Sequence, residues 1–118
     1  MLHLINEKKY LKIKQLLEDD FSSQINDFFK DSSIYIVGIQ NGIESKDCLK
    51  IQSLAHTMKN TANEFGAEIV SDLADKIESE AHSIMINDGG NLEEIKDLFG
   101  ELELSFYASR EKMKKMIS

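Results

Sequence analysis

The sequence predicts an all-α fold, an antiparallel up-down four-helix bundle with a short N-terminal helix as its lid. Three observations predict it. Apolar residues recur at spacings of three and four along nearly the whole chain, and no segment sustains a period of two. There is no proline and only six glycines, so little interrupts helices. Turn and cap residues fall between the periodic stretches at intervals that suit long helices and short connections. At 118 residues the chain is one domain, 1–118, and it should bury roughly two-thirds of its unfolded surface.

The helices are expected at about 7–17, 20–41, 45–65, 67–87 and 91–117. The first places Tyr10, Ile13 and Leu17 on one side. Glu18-Asp19-Asp20 then supplies the negative charge that favours a new helix N-terminus. The second helix carries Phe21, Ile25, Phe28, Ser32, Ile36 and Ile39, with Asn41-Gly42 as the expected stop. Ser45 is the expected cap of the third, whose stripe is Ile51, Leu54, Ala55, Met58, Ala62 and Phe65, closed by Gly66. The fourth turns Val70, Leu73, Ile77, Ala81 and Ile84 inward and ends at Asn87-Asp88-Gly89-Gly90. Asn91 caps the fifth, with Leu92, Ile95, Phe99, Leu102, Phe106, Ser109, Met113 and Met116 on its apolar face.

Composition narrows the function. The net charge of −7, from 21 acidic and 14 basic residues, opposes nucleic-acid binding, which needs a concentrated basic surface. The basic cluster at 110–115 reads as charge complementing a helix C-terminus. A single cysteine, Cys48, forms no intramolecular disulfide or Cys-based zinc site and fits a reducing compartment. The longest apolar run, near Ile34 to Ile39, is far too short to span a membrane, and no secretory signal is read at the N-terminus. A cytoplasmic monomer is expected, and Met1 with the complete bundle favours a free-standing protein over a module of a hybrid kinase.

One histidine stands out. With Met58 at the centre of the buried stripe, His56 lies about 160° away, on the solvent-facing side of the third helix. Gln52, Ser53, Lys59, Asn60 and Asn63 form a polar strip around it. A histidine nucleophile must be neutral, and an imidazole's ordinary pKa of about 6.5 allows that near pH 7 when the ring faces water. One ring nitrogen attacks while the other carries the proton, so an acceptor must fix the tautomer. Glu78 is the candidate: His56 stands ten residues before Gly66 and Glu78 twelve after it, at similar height in an antiparallel pair.

The pattern Ala55-His56-x-x-Lys59-Asn60, Gly66 and Ile77-Glu78 resembles the histidine-containing phosphotransfer (HPt) domains of multistep two-component phosphorelays. Phe28-Phe29 and the last helix follow that family's layout too, so the resemblance spans nearly the whole chain. It implies His56 as phosphoryl acceptor and donor, Lys59 as electrostatic partner of the phosphoryl group, and Glu78 as orienter of the ring. Asn60 stands where the family usually has glycine, and could instead hydrogen-bond the phosphoryl oxygens. The implied partners are receiver domains of a hybrid histidine kinase and of a response regulator, which bring their own aspartates and Mg²⁺. The chain itself is expected to need no cofactor and to have no autonomous catalysis, and no phosphate-cradling loop for ATP is present. Leu49 and Ile13 are the expected apolar contributors to docking beside the His56 strip.

Three rival readings exist. The phosphoacceptor region of a histidine kinase usually follows its histidine with an acidic residue and Thr-Pro, which Thr57-Met58-Lys59-Asn60 lacks. A di-iron bundle needs two Glu-x-x-His motifs, whereas Glu78 and His82 are four apart, and His3 stands near the N-terminus. A helical adaptor of the same fold, binding partners without transfer, is the alternative reading.

Overall fold

The computed structural model describes residues 1–87 and 89–117. Its helices are α1 (Glu7–Leu17), α2 (Phe21–Ser45), α3 (Cys48–Glu64), α4 (Glu68–Met85) and α5 (Leu92–Ile117), with a 3-10 turn over Glu18–Asp20. No strand occurs among the described residues. The expected stripes face inward. Ile25, Ile36, Ile39, Ile51, Met58, Ile77, Ile95, Leu102, Phe106 and Met113 are all fully or almost fully buried in one core. Each such side chain contributes roughly 1.5–3 kcal/mol over its exposed state. Packing, more than local propensity, therefore holds these helices.

Two of the expected boundaries are corrected. Asn41-Gly42 does not stop α2, which continues to Ser45. Gly42 keeps a helical backbone, and its missing side chain lets α3 cross closely: a Cβ there would stand 2.8 Å from Ile51 Cγ1. Reversal comes instead at Lys46, whose φ of 57° is left-handed, and Asp47 N–H donates to Gly42 O at 2.8 Å to close the turn. Ser45 is accordingly not the cap of α3. Its hydroxyl bonds back to Asn41 O at 2.9 Å, while the Asp47 side chain accepts from Lys50 N at 3.1 Å and caps the helix. The remaining ends differ from expectation by one or two residues, as at Asp20, Phe65, Ala67, Ile86, Asn87 and Asn91, where caps or turns take the place of helical residues. Asn91 does cap α5, accepting from Glu94 N at 2.8 Å. Asp88, part of the expected turn after α4, and Ser118 lie outside the described residues.

The lid closes one end of the bundle. Tyr10 of α1 is fully buried, edge-on to Phe21 at 5.4 Å, and its hydroxyl donates to Met113 O at 3.5 Å. Burial pushes its phenol pKa up from the ordinary value. Beneath it Phe65 stacks on Phe28 at 4.9 Å. Gly66, with φ of 81°, turns the chain from α3 to α4, and its carbonyl accepts from Asn6 N at 2.7 Å. The α3–α4 turn and the lid therefore lock each other in place.

Candidate functional site

The most extensive helix contact in the molecule is between α3 and α4. Their antiparallel register appears as a ladder of polar pairs, each equidistant in sequence from Ala67: Gln52 with His82, His56 with Glu78, and Lys59 with Asp75. Farther toward the turn, Ser71 Oγ donates to Lys59 O at 3.0 Å and ties the two backbones together. Buried Ile51, Ala55, Met58 and Ala62 anchor the opposite face of α3, so the ladder faces outward.

At its centre the His56 ring is about half exposed, at 54 %, while Glu78 is 19 % exposed. His56 Nδ1 and Glu78 Oε2 are 2.7 Å apart. Lys59 Nζ donates to Glu78 Oε1 at 2.6 Å and to Asp75 Oδ1 at 3.3 Å. Partial burial pushes the Glu78 carboxyl up, yet the hydrogen bonds from Lys59 and His56, with their charges, outweigh it and hold the group below its ordinary value. The Lys59 ammonium is raised, chiefly by its hydrogen bond to Glu78. An ionised Glu78 can only accept, so Nδ1 carries the proton in the neutral ring. Nε2 is then left with its lone pair on the solvent side. Asn60 Nδ2 lies 3.3 Å from it.

His56, Lys59, Asn60 and Glu78 come together. Gly66 sets the turn that brings the last of them across. Ser53 is exposed beside His56, whereas Gln52 is engaged by His82 at 3.4 Å and Asn63 accepts from Lys9 Nζ at 2.8 Å. Leu49 is exposed, and Ile13 is only partly so, packed against the core. Sequence reasoning missed Asp75. Its signal was available, since it stands three residues before Glu78 and therefore on the same face of α4. Among the described residues no group of three or more His, Cys, Asp or Glu side chains is arranged to hold a metal ion. No helix there is long and apolar enough to cross a membrane.

The Lys59–Glu78–His56 chain has a definite pH signature. Because the folded value of Glu78 is depressed below 4.5, its stabilisation is full above that pH and lost as pH falls through the folded value. The raised Lys59 contributes below 10.5 and loses its contribution as pH rises through its folded value. Glu78→Gln should therefore cost about 1 kcal/mol at pH 7, and the difference from wild type should close at an acid pH below the folded value of Glu78. Urea denaturation at the two pH values measures it; an undiminished gap in acid would contradict this account.

The helical bundle presents an imidazole oriented by Glu78 beside a lysine on an open face. Comparison with known proteins makes this specific. The profile of the Hpt domain family matches residues 25–112, and the chain belongs to that family. It is a histidine phosphotransfer domain, an intermediate of phosphorelays. No curated protein matches it in sequence. Among solved structures it is similar to histidine-containing phosphotransfer protein B (HptB) of Pseudomonas aeruginosa, with TM-score 0.87 and 18 % identity over 96 % of this chain and 93 % of that one. It is also similar to Ypd1 of Saccharomyces cerevisiae, crystallised with the receiver domain of its downstream response regulator Ssk1. That match has TM-score 0.84 and 15 % identity over 99 % of this chain and 96 % of that one.

Proposed function

We propose that His56 is the phosphoryl acceptor and donor of this domain, exchanging the group with aspartates of receiver domains in a hybrid kinase and a response regulator. The observation that carries the reading is the 2.7 Å contact of Nδ1 with an ionised Glu78, which leaves Nε2 as the ring nitrogen that carries the lone pair. In the step, the Nε2 lone pair forms the P–N bond. The P–O bond to the receiver aspartate breaks with its electrons returning to the carboxylate. The Nδ1 proton stays on the ring, where Glu78 stabilises the positive charge that develops. Lys59 is one helical turn from His56 and moves its ammonium toward the phosphoryl oxygens, offsetting their charge. The receiver contributes Mg²⁺ and its own acidic residues in this reading, and the chain acts as a carrier with no autonomous catalysis. It acts as a monomer in the cytoplasm, which the unpaired Cys48 thiol suits.

A shallow groove supports docking next to the acceptor strip. Ile13 and Leu16 of α1, with Lys9 and Lys12, face Asn63 and Glu64 of α3 across it. Leu16 and Leu49 are exposed apolar residues on that pair of helices. A phosphorylated receiver mixed with the protein should leave an acid-labile, base-stable label on it. An unlabelled wild-type chain across a panel of receivers would leave the adaptor reading, which the occupation of Nε2 by Asn60 favours. Lys59→Ala should slow transfer by about ten- to a hundredfold, with the fold intact, as read by quench-flow and circular dichroism.

A further inference from the structure

We infer that Asn60 caps the acceptor nitrogen: its side-chain amide donates to the Nε2 lone pair of His56 in the free protein and holds back attack on phosphorus. This rests on His56 being the phosphoryl acceptor. The direction of the bond follows from its neighbours. Glu78 is ionised and accepts from Nδ1–H, so Nε2 of the neutral ring can only accept. The Asn60 Nδ2 group at 3.3 Å is a donor, so the pair is matched. Both residues are on α3, four apart and both exposed, so the contact costs no packing to make or break. The lone pair that accepts this hydrogen bond is the one that must form the P–N bond, and the two uses exclude each other. The amide must therefore leave before transfer. Lys59 is restrained in the same sense, since Glu78 and Asp75 both hold its ammonium. The resting site is internally satisfied, and an incoming phosphoryl group has to displace Asn60 to reach the nucleophile.

The cap makes reactivity toward small phosphodonors the sensitive readout. Phosphoramidate labels a histidine as its P–N bond breaks and ammonia leaves, with no docking protein to move Asn60. Asn60→Ala frees the lone pair and should accelerate labelling about three- to tenfold, the worth of one net hydrogen bond. Asn60→Asp is nearly isosteric but its carboxylate accepts only. It favours a proton on Nε2 and should label more slowly than wild type. Simple shielding by side-chain bulk predicts instead that Asn60→Asp matches wild type, and that result would overturn the cap. ¹⁵N spectra of the unphosphorylated proteins give an independent reading. The His56 Nε2 resonance should move downfield in Asn60→Ala, as expected for a lone pair released from a donor, and an unmoved resonance also overturns the proposal. His56→Gln separates the two levels of inference. Labelling undiminished by that change removes His56 as acceptor, whereas equal rates for Asn60→Ala and wild type remove the cap alone.

Discussion

His56→Gln should abolish phosphotransfer while leaving the bundle intact. Glutamine is a good helix former, and the position is half exposed, so stability should change by no more than about 0.5 kcal/mol. Its amide can still donate toward Glu78, which keeps the α3–α4 ladder joined. Nothing at position 56 then has a nucleophilic lone pair, because an amide nitrogen's electrons are delocalised into its carbonyl. Loss should be at least about a thousandfold, down to the background of the assay. Acid-labile, base-stable phosphate after incubation with a phosphorylated receiver is the measurement. His82 provides an internal comparison, since it is on α4 one turn beyond Glu78 and its Nδ1 lies 3.4 Å from the Gln52 amide. Replacing His82 should leave labelling in place. Retained label in His56→Gln, lost in a His82 variant, would transfer the acceptor role one rung along the ladder.

The largest stability effect should come from Gly66→Ala. Two costs combine there. The φ of 81° is unfavourable for any residue with a Cβ, and that Cβ would stand 2.7 Å from Asn6 O and 3.3 Å from both Lys9 Cβ and Tyr10 N. Backbone atoms cannot swing aside as a side-chain end can. The N-terminus of α1 would have to lift, weakening the Asn6 N–H to Gly66 O bond and loosening buried Tyr10 above the Phe65–Phe28 stack. We expect a loss of about 3 kcal/mol, or about 10 °C in Tm. Gly89 makes the comparison sharp. Its φ is 85°, yet a Cβ there meets nothing within 4 Å. Gly89→Ala should therefore show the conformational cost alone, about 1 kcal/mol. Equal losses at the two positions would mean that the lid contact contributes nothing. Thermal unfolding of both variants decides it.

How much of this was legible beforehand follows from the physics of each feature. The helical stripes and the outward face of His56 were readable because burial imposes the 3.6-residue period on the sequence itself. Asn91 was readable as a cap because its side chain acts on the backbone of the same segment. The end of α2 was misread for a related reason. Asn41-Gly42 carries a local stop signal, but Gly42 serves the close crossing of Ile51 on a different helix, and local propensity loses to that packing. Asp75 was overlooked because a carboxylate on a charged helix surface looks like ordinary solvated charge until its partner across the helix pair is known.

The sequence by itself determined the number of helices, which face of α3 meets water, and the nucleophile set out on that face. It also brought Glu78 to the right height, since similar counts from the Gly66 turn, ten and twelve residues, imply similar heights in an antiparallel pair. Only the tertiary structure decided which atoms meet. That Glu78 holds both Nδ1 of His56 and the Lys59 ammonium, that Asp75 shares that ammonium, and that the Asn60 amide sits on Nε2 are consequences of helix separation and side-chain rotamer. Those quantities are set by how α3 and α4 sit on the shared core, in which Ile51, Met58 and Ile77 are buried, and by the backbone tie from Ser71. Hydrogen bonds form only within a narrow range of distance and angle, whereas a pattern read at one residue per 100° fixes a face and leaves distance open.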